Sequence, residues 1–453
     1  MVTAPNPVST MKPVECGDRQ APDFAPNPTP GQMLNWLFVD LNSYFASVEQ
    51  EVRPELRGHP VGVVPMMADT TVCIAASYEA KACGVRTGTV VADAKRLCPD
   101  LVLVEARHEL YVDYHHRIVE AVESCLPVTA VLSIDEMACR LMGRERPMLA
   151  AMELGRRVKA RIRERVGPTL RSSVGLATNR YLAKVASDME KPDGLVALPL
   201  DILPDALRHL TLRDLPGIGA RTEKRLNEMG IHTMDQLLAL DCEQAGQLWG
   251  SVWGERLWHW LRGEDFEMSE TDHLKSISHQ HVLAPEMRTP EQAWAVAHKL
   301  LHKAAMRLRA AGLWAGNVGL AIGFAGARGE TAPVSTFGVP ARGWHRELQI
   351  GECQDNQTLI AALSRLWESR PKAPEFAHPY FIGVHLGGLV PNRLHTLNLF
   401  DGLEDAQSKK RLLATMDELN NKYGMSTLAP ATMLTAFKAA PTRIAFHSIP
   451  EIF

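Results

Sequence analysis

Short apolar, β-branched runs alternate with longer stretches whose apolar residues recur at helical spacing, and this pattern predicts a mixed architecture. Residues 36–39 form a strand-like run that ends on Asp40. Ser43 then has the position of an N-cap for a short helix carrying Tyr44, Phe45, Val48 and Glu49. β-rich segments at 61–65 and 71–77 lead into a helix at 78–82 closed by Gly84, a helix at 91–97 ended by Cys98-Pro99, and a strand at 101–105. Tyr114, Ile118, Ala121 and Val122 predict a helix over 111–124. Two strand runs, 128–132 and 137–141, enclose Ser133-Ile134-Asp135-Glu136. A basic amphipathic helix over 148–166 follows, with Pro147 suited to its first turn. A strand at 171–176 and a helix over 179–188 complete this part. The order predicts an α+β domain with helices packed on one face of a sheet, and a small α/β subdomain, roughly 44–107, inserted in it.

The rest of the chain changes character twice. Residues 202–268 read as all helical, and Leu215-Pro216-Gly217-Ile218-Gly219-Ala220 followed by a helix to Met229 has the look of a helix–hairpin–helix. From Lys275 a strand at 276–283, a helix at 290–311, strands at 316–324 and 380–389 and a helix at 356–368 predict a second β-α module. Residues 1–32, rich in Pro, Asn, Thr and Gly, bury little and read as a disordered or loosely docked tail. At the other end, 402–453 contains a predicted helix over 409–422 and then irregular sequence.

Composition narrows the class. A chain of 453 residues is long enough for two to four domains, and 46% hydrophobic with 22% charged residues is ordinary globular material. The net charge of −3 gives no overall cationic signature, so any nucleic-acid surface must be local. Residues 272–400 carry 13 Lys and Arg against 9 Asp and Glu, a modest excess of +4 that suits a phosphate backbone and also falls within ordinary surface scatter. The eight cysteines are scattered without a C-x-x-C pair, which predicts reduced thiols rather than a disulfide framework or zinc site. There is no apolar run of membrane-spanning length and no secretory leader pattern, so the expectation is a soluble, cytoplasmic protein.

Two features carry chemistry. Asp135 and Glu136 end a hydrophobic strand, and adjacent carboxylates there are costly unless something pairs with them. Asp40 ends another apolar strand, so Asp40, Asp135 and Glu136 can meet across neighbouring strands and hold two metal ions such as Mg²⁺, the arrangement used for in-line phosphoryl or nucleotidyl transfer. A solvated turn is the plainer reading of an Asp-Glu pair taken alone. The hairpin at Gly217 and Gly219, before a helix bearing Arg221, Lys224 and Arg225, offers backbone N–H groups and a helix N-terminus that grip phosphate without reading sequence. A tight turn between packed helices is the alternative.

Taken together and in order, these motifs resemble the Y-family, lesion-bypass DNA polymerases. The resemblance runs from Leu34 to Phe400, and is most specific in Phe38-Val39-Asp40-Leu41-Asn42-Ser43-Tyr44-Phe45, Ser133-Ile134-Asp135-Glu136, Val174-Gly175-Leu176-Ala177-Thr178-Asn179, Leu182-Ala183-Lys184-Val185-Ala186-Ser187-Asp188 and Lys191-Pro192-Asp193-Gly194. It implies a right-hand polymerase architecture: a palm at 34–43 and 108–200, small fingers at 44–107, a helical thumb at 201–270, an α/β little finger at 275–400 and a C-terminal extension at 401–453. It also implies that Asp40, Asp135, Glu136 and the Leu41 carbonyl are metal ligands. Phe45 falls at the position of a steric gate against the ribose 2′-OH. Tyr44, Tyr78, Lys81 and Lys191 fall with the groups that hold the incoming nucleotide. Leu397, Leu399 and Phe400 match a sliding-clamp peptide, with Thr396 where a Gln is usual, and an aliphatic packing staple is the alternative.

Two departures stand out. Lys81 replaces the Arg of many members, as in the bacterial SOS-mutagenesis branch, keeping the charge but losing the bidentate fork. Met137-Ala138-Cys139-Arg140 replaces the usual aromatic-aliphatic-Asp continuation, and strand alternation allows Arg140 to lie on the opposite face. The function implied is low-fidelity, template-directed DNA synthesis from dNTPs across damaged template, with primer–template DNA, a sliding clamp and possible accessory mutagenesis proteins as partners. The alternative of a different class is a catalytically inactive, polymerase-shaped adaptor in a mutagenesis complex.

Overall fold

The runs at 36–41, 130–131, 136–140, 172–177 and 195–198 become the strands of one five-stranded sheet in the computed structural model, which describes residues 30–69, 71–266, 275–324, 343–372, 378–395, 403–424 and 427–436. The tail before residue 30 and the clamp-peptide residues Thr396, Leu397, Leu399 and Phe400 lie outside the described residues.

The first sheet has the order β5 (Ala130–Val131), β6 (Glu136–Arg140), β1 (Trp36–Leu41), β7 (Ser172–Ala177) and β8 (Leu195–Leu198), antiparallel except for the β7–β8 pair. Strands β1 and β7 are buried along their whole length, because helices cover both faces. On one face Leu37, Val39, Met137 and Cys139 pack with α1 (Tyr44–Val52), α4 (His108–Glu123) and α5 (Met148–Arg165). On the other, Trp36, Phe38 and Ala138 pack with α6 (Arg180–Met189). The expectation of helices on one face is therefore corrected. Gly175 is the reason: with no side chain there, α6 lies directly against β7, and an added Cβ would collide with the Ala183 carbonyl and the Ser187 N–H.

A small sheet, β3 (Ala75–Ala76), β2 (Val61–Val64) and β4 (Val102–Glu105), carries α2 (Tyr78–Ala82) and α3 (Val91–Leu97). The helical region comprises α7 (Ala220–Glu228), α8 (Met234–Leu238), α9 (Cys242–Trp249) and α10 (Val252–Leu261). Before the hairpin at Gly217 stands only a 3₁₀ turn, Leu212–Asp214, rather than a full helix.

A third sheet has the order β11 (Gly343–Cys353), β10 (Leu313–Phe324), β12 (Pro379–Gly387) and β9 (Ser276–Val282), with β13 (Val390–Pro391) paired to β10. Helices α11 (Pro290–Ala310) and α12 (Asn356–Glu368) cover one face of it. Helix α13 (Leu403–Tyr423) is tied to α11 by Arg309, whose guanidinium grips both Asp417 oxygens at 2.6 and 2.7 Å. Among the described residues no helix is long and apolar enough to cross a membrane, and the cysteines at 73, 83, 98, 125, 139, 242 and 353 are free.

Candidate active site

Asp40 sits one residue from the end of β1, directly opposite Glu136 at the start of β6. Alternation puts Asp40 on the same face as Trp36 and Phe38, the face that α6 covers. Lys184 of α6 reaches that edge: its Nζ lies 2.5 Å from Asp40 Oδ2, 2.8 Å from Glu136 Oε1 and 3.2 Å from Asp188. Lys191 approaches from the next turn, 2.7 Å from Asp40 Oδ1 and 2.8 Å from Asp188. Burial opposes the charge on both ammonium groups, but the surrounding acids, Asp40 foremost, outweigh it and hold both pKa values up.

Asp135 occupies the turn just before β6. The Ser133 hydroxyl donates to its Oδ1 at 2.6 Å, and its backbone carbonyl accepts from the Leu41 N–H at 2.9 Å. Burial pushes the Asp135 carboxyl up, with added repulsion from Asp40 and Glu136 and against the pull of Ser133. Leu41 turns its side chain into the core, which leaves its backbone as the group it can offer. Three carboxylates that repel one another, on oxygen donors alone, suit a hard dication such as Mg²⁺. Lys184 stands between Asp40 and Glu136. The three acids are not drawn to common ligand distance: among the described residues only His345, Glu347 and His385 bring three ligating atoms within 4.8 Å of one another.

The expected nucleotide-binding residues divide. Lys81 Nζ donates to Ser43 Oγ at 2.7 Å and lies 4.5 Å from the Tyr78 ring centroid. Burial lowers the Lys81 pKa, and Lys191 and Arg86 lower it further. Tyr78 is pushed up by burial while Lys191 pulls it down, so Tyr78, Lys81 and Lys191 share one electrostatic neighbourhood with Asp40. Phe45 is half-buried, its ring stacked on Tyr111 with centroids 4.5 Å apart. Tyr44 is set apart. It is buried in the core and its hydroxyl donates to the Tyr111 carbonyl at 2.6 Å, so it faces α4 instead of a nucleotide. Ser43 has the N-cap position but a left-handed backbone (φ 51°) and no capping hydrogen bond; its oxygen is engaged by Lys81 instead.

Several positioning residues were not assigned from sequence. Glu49, fully buried, accepts from Arg107 Nε at 3.0 Å and from the Tyr111 hydroxyl at 2.8 Å, and so fixes α1, which carries Phe45. Asn42 Oδ1 accepts the Asp193 N–H at 2.8 Å, while Lys159 of α5 donates to the Gly194 carbonyl at 3.0 Å and Arg163 pairs with Asp193 at 2.6 Å. These clamp the turn that bears Lys191. Lys184 and Asp188 lie inside the 182–188 motif at i, i+4 spacing on one helix face, which is the signal that could have found them.

Arg140 requires a correction. It is four residues from Glu136, an even number, so it shares the Glu136 face, about 13 Å farther along the strand. There it pairs with Asp265 at 2.6 Å and lies over the Trp36 ring at 5.0 Å, while Asp265 also accepts from Asn35 and the Trp36 indole. In the helical region Gly217 has φ 89° and Gly219 is the N-cap of α7. Arg221 and Lys224 stand exposed on the first two turns of that helix.

Comparison with known proteins covers the same segments. The impB/mucB/samB family model matches residues 39–188, the model of its C-terminal domain matches 274–399, and that of the DNA polymerase-iota thumb domain matches 213–265. A protein named DNA polymerase IV from Moorella thermoacetica is 34% identical over 404 residues, covering 88% of this chain and 96% of its own. Another, DNA polymerase IV 1 from Bacillus subtilis, is 28% identical over 412 residues, 89% and 94% of the two chains. Among solved structures, a Y-family DNA polymerase chimera of Dbh and Dpo4 superposes with a TM-score of 0.62 at 23% identity, over 79% of this chain and all of the other, a likeness of fold.

Proposed function

Since the chain belongs to the impB/mucB/samB family of Y-family DNA polymerases, we propose that it extends a primer 3′-OH from dNTPs on a DNA template, damaged positions included. The observation that carries this reading is the placement of Asp40, Asp135 and Glu136 at one sheet edge, near enough to repel, beside the cations Lys81 and Lys191. In this reading residues 34–43 and 108–200 are the palm, 44–107 the fingers, 201–270 the thumb and 275–400 the little finger.

Asp40, Asp135, Glu136 and the Leu41 carbonyl would hold two Mg²⁺ ions. When bound, such ions ease loss of the 3′-OH proton and neutralise the leaving pyrophosphate. The remaining work falls to the chain itself. Lys81 and Lys191 carry positive charge to the triphosphate, and the Tyr78 hydroxyl adds a donor. Phe45, held flat by Tyr111, lies under the sugar and excludes a 2′-OH. Gly217 and Gly219 present N–H groups, with Arg221 and Lys224, to the duplex backbone. Leu397, Leu399 and Phe400 would dock in a clamp groove, accessory mutagenesis proteins would join the same assembly, and the working place is the cytoplasm, at the chromosome.

Primer extension with purified protein, Mg²⁺ and four dNTPs, on an intact and an abasic template, tests the reading beside an Asp135→Ala/Glu136→Ala variant. Extension by the wild type alone supports it. No extension by either, with clamp and partners added, replaces it with the adaptor.

A further inference from the structure

We propose that His345, Glu347 and His385 form a binding site for a divalent transition-metal ion of the Zn²⁺ class on the little finger, separate from the palm acids. The three come from two strands that are not paired with each other. On β11, Trp344, Leu348 and Ile350 pack into the helix-covered core, so alternation turns His345 and Glu347 to the opposite face. On β12, Ile382, Val384 and Leu386 pack into the same core, which turns His385 the same way. Strand β10 lies between, and its register sets Gly319 opposite both Glu347 and His385.

Gly319 makes the meeting possible. The His385 ring lies where a Cβ at 319 would have to stand, so any side chain at that position would push the imidazole away. With glycine there, the ring crosses the intervening strand and its Nε2 comes to 2.9 Å from Glu347 Oε1. From the other side His345 Nε2 reaches the same oxygen at 3.7 Å, and the two imidazoles stack with centroids 5.5 Å apart at 21°. All three ligating atoms lie within 4.8 Å of one another.

The two carboxylate–imidazole separations bracket the spacing a metal would impose. Ligands at about 2.0–2.1 Å from a tetrahedral Zn²⁺ stand about 3.3–3.4 Å apart, between the two spacings observed. Two imidazole nitrogens and one carboxylate oxygen select Zn²⁺, Cu²⁺ or Ni²⁺ over Mg²⁺ or Ca²⁺, which prefer oxygen alone. Three protein ligands leave a fourth position for water or an anionic oxygen. The palm site is built on the other principle, carboxylates and lysines without a histidine, so the two sites choose different ions.

The test uses the full-length chain, free of any histidine tag and stripped with chelator, in buffer containing millimolar Mg²⁺ to engage the carboxylates. Zn²⁺ is titrated against a chromophoric chelator, and Co²⁺ is added separately so that visible absorption reports nitrogen ligation. The expected result is one equivalent of Zn²⁺ bound, with His345→Ala, His385→Ala and Glu347→Gln each weakening it at least about tenfold and flattening the Co²⁺ spectrum. The near-isosteric Glu347→Gln guards against misfolding of the histidine variants, and thermal melts in chelator check all three. Primer extension in Mg²⁺ should be unchanged, which keeps this outcome distinct from failure of the palm assignment. Equal Zn²⁺ binding by wild type and the three variants, or none by the wild type, overturns the proposal.

Discussion

Replacing Lys184 by methionine keeps most of the side-chain stem and deletes its charge. Asp40, Asp135, Glu136 and Asp188 then face Lys191 alone, and the local balance of these six groups moves from −2 to −3. Removing one member of a buried pair costs about 3–5 kcal/mol, while an exposed pair is worth about 0–1 kcal/mol. Lys184 is 19% exposed and Asp40 6%, which places the pair near the buried limit, but Glu136 at 29% can take up water and Lys191 stays on Asp40 at 2.7 Å. A loss of about 2 kcal/mol in chelator is therefore expected. An ion bound by Asp40 and Glu136 should offset part of this loss. With Lys184 gone, the ion no longer competes with an ammonium for Asp40 and Glu136, and each tenfold gain in its affinity returns about 1.4 kcal/mol at saturating ion.

Unfolding of a multidomain chain is not a single two-state event, so a local readout is needed. Hydrogen exchange of peptides covering β1 and α6, with chelator or with Mg²⁺, supplies it. The expected pattern is faster exchange in Lys184→Met than in wild type with chelator, and a gap that narrows when Mg²⁺ is added. A gap of the same size in both buffers would refute the reasoning, because Lys184 and the ion would then not be sharing the same carboxylates.

Phe45→Val should leave folding intact and raise ribonucleotide incorporation relative to deoxyribonucleotide by at least about tenfold, measured by single-nucleotide insertion; an unchanged ratio would remove Phe45 as the gate. Gly175→Ala places a methyl against the Ala183 carbonyl and Ser187 N–H, so α6 must move outward, carrying Lys184 and Asp188 with it. A displacement near 1 Å is expected to lower kcat by about 10²-fold, with a stability cost of about 1–3 kcal/mol; a variant with normal kcat would show that α6 does not position the site. His279 is held at a pKa of about 4 by burial, with Arg307 and Lys303 adding to the effect, against 6.5 when exposed. The unfolded chain therefore takes up the proton first, and stability present above pH 6.5 falls as the pH drops toward 4, by up to about 3 kcal/mol. His279→Gln should flatten that slope in pH-dependent denaturation, and an unaltered slope would assign it to other groups.

The acids were legible because each closes an apolar run, and a charge at the end of a buried strand asks for a partner. Their neighbours were not, since the order β6-β1-β7 joins residues 96 to 141 positions apart, and no local pattern encodes that pairing. Lys184 illustrates the gap: its helix was predicted, but its reach to Asp40 depends on the missing side chain at Gly175, one strand away. The strand at 343–353 is hard to read because it is an edge, where Trp344, Leu348, Ile350 and the terminal Cys353 are set among exposed polar residues. Strand β8 was lost as a four-residue run between Gly194 and Pro199. Parity misled the reading of Arg140, and the Ser43 hydroxyl was spent on Lys81 instead of a helix N–H.

The lysines around Asp40 are not equivalent, and the difference says where an anionic substrate belongs. Lys184 and Lys191 are already matched by carboxylates, which hold both ammonium groups charged in spite of burial. Lys81 has a hydroxyl and an aromatic ring as its close partners, and burial, Lys191 and Arg86 all press it toward the neutral form. A triphosphate entering beside Lys81 would relieve both the desolvation and the repulsion from Lys191, so its charge gains most at that point. The same anion placed over Asp40 or Glu136 would meet carboxylates first. Electrostatics thus separate a cation-seeking edge, made by β1 and β6, from an anion-seeking point on α2, where Lys81 stands. In the proposed reading, a nucleotide that bridges them would lay its phosphates against Lys81, with its sugar toward Phe45 on the neighbouring helix.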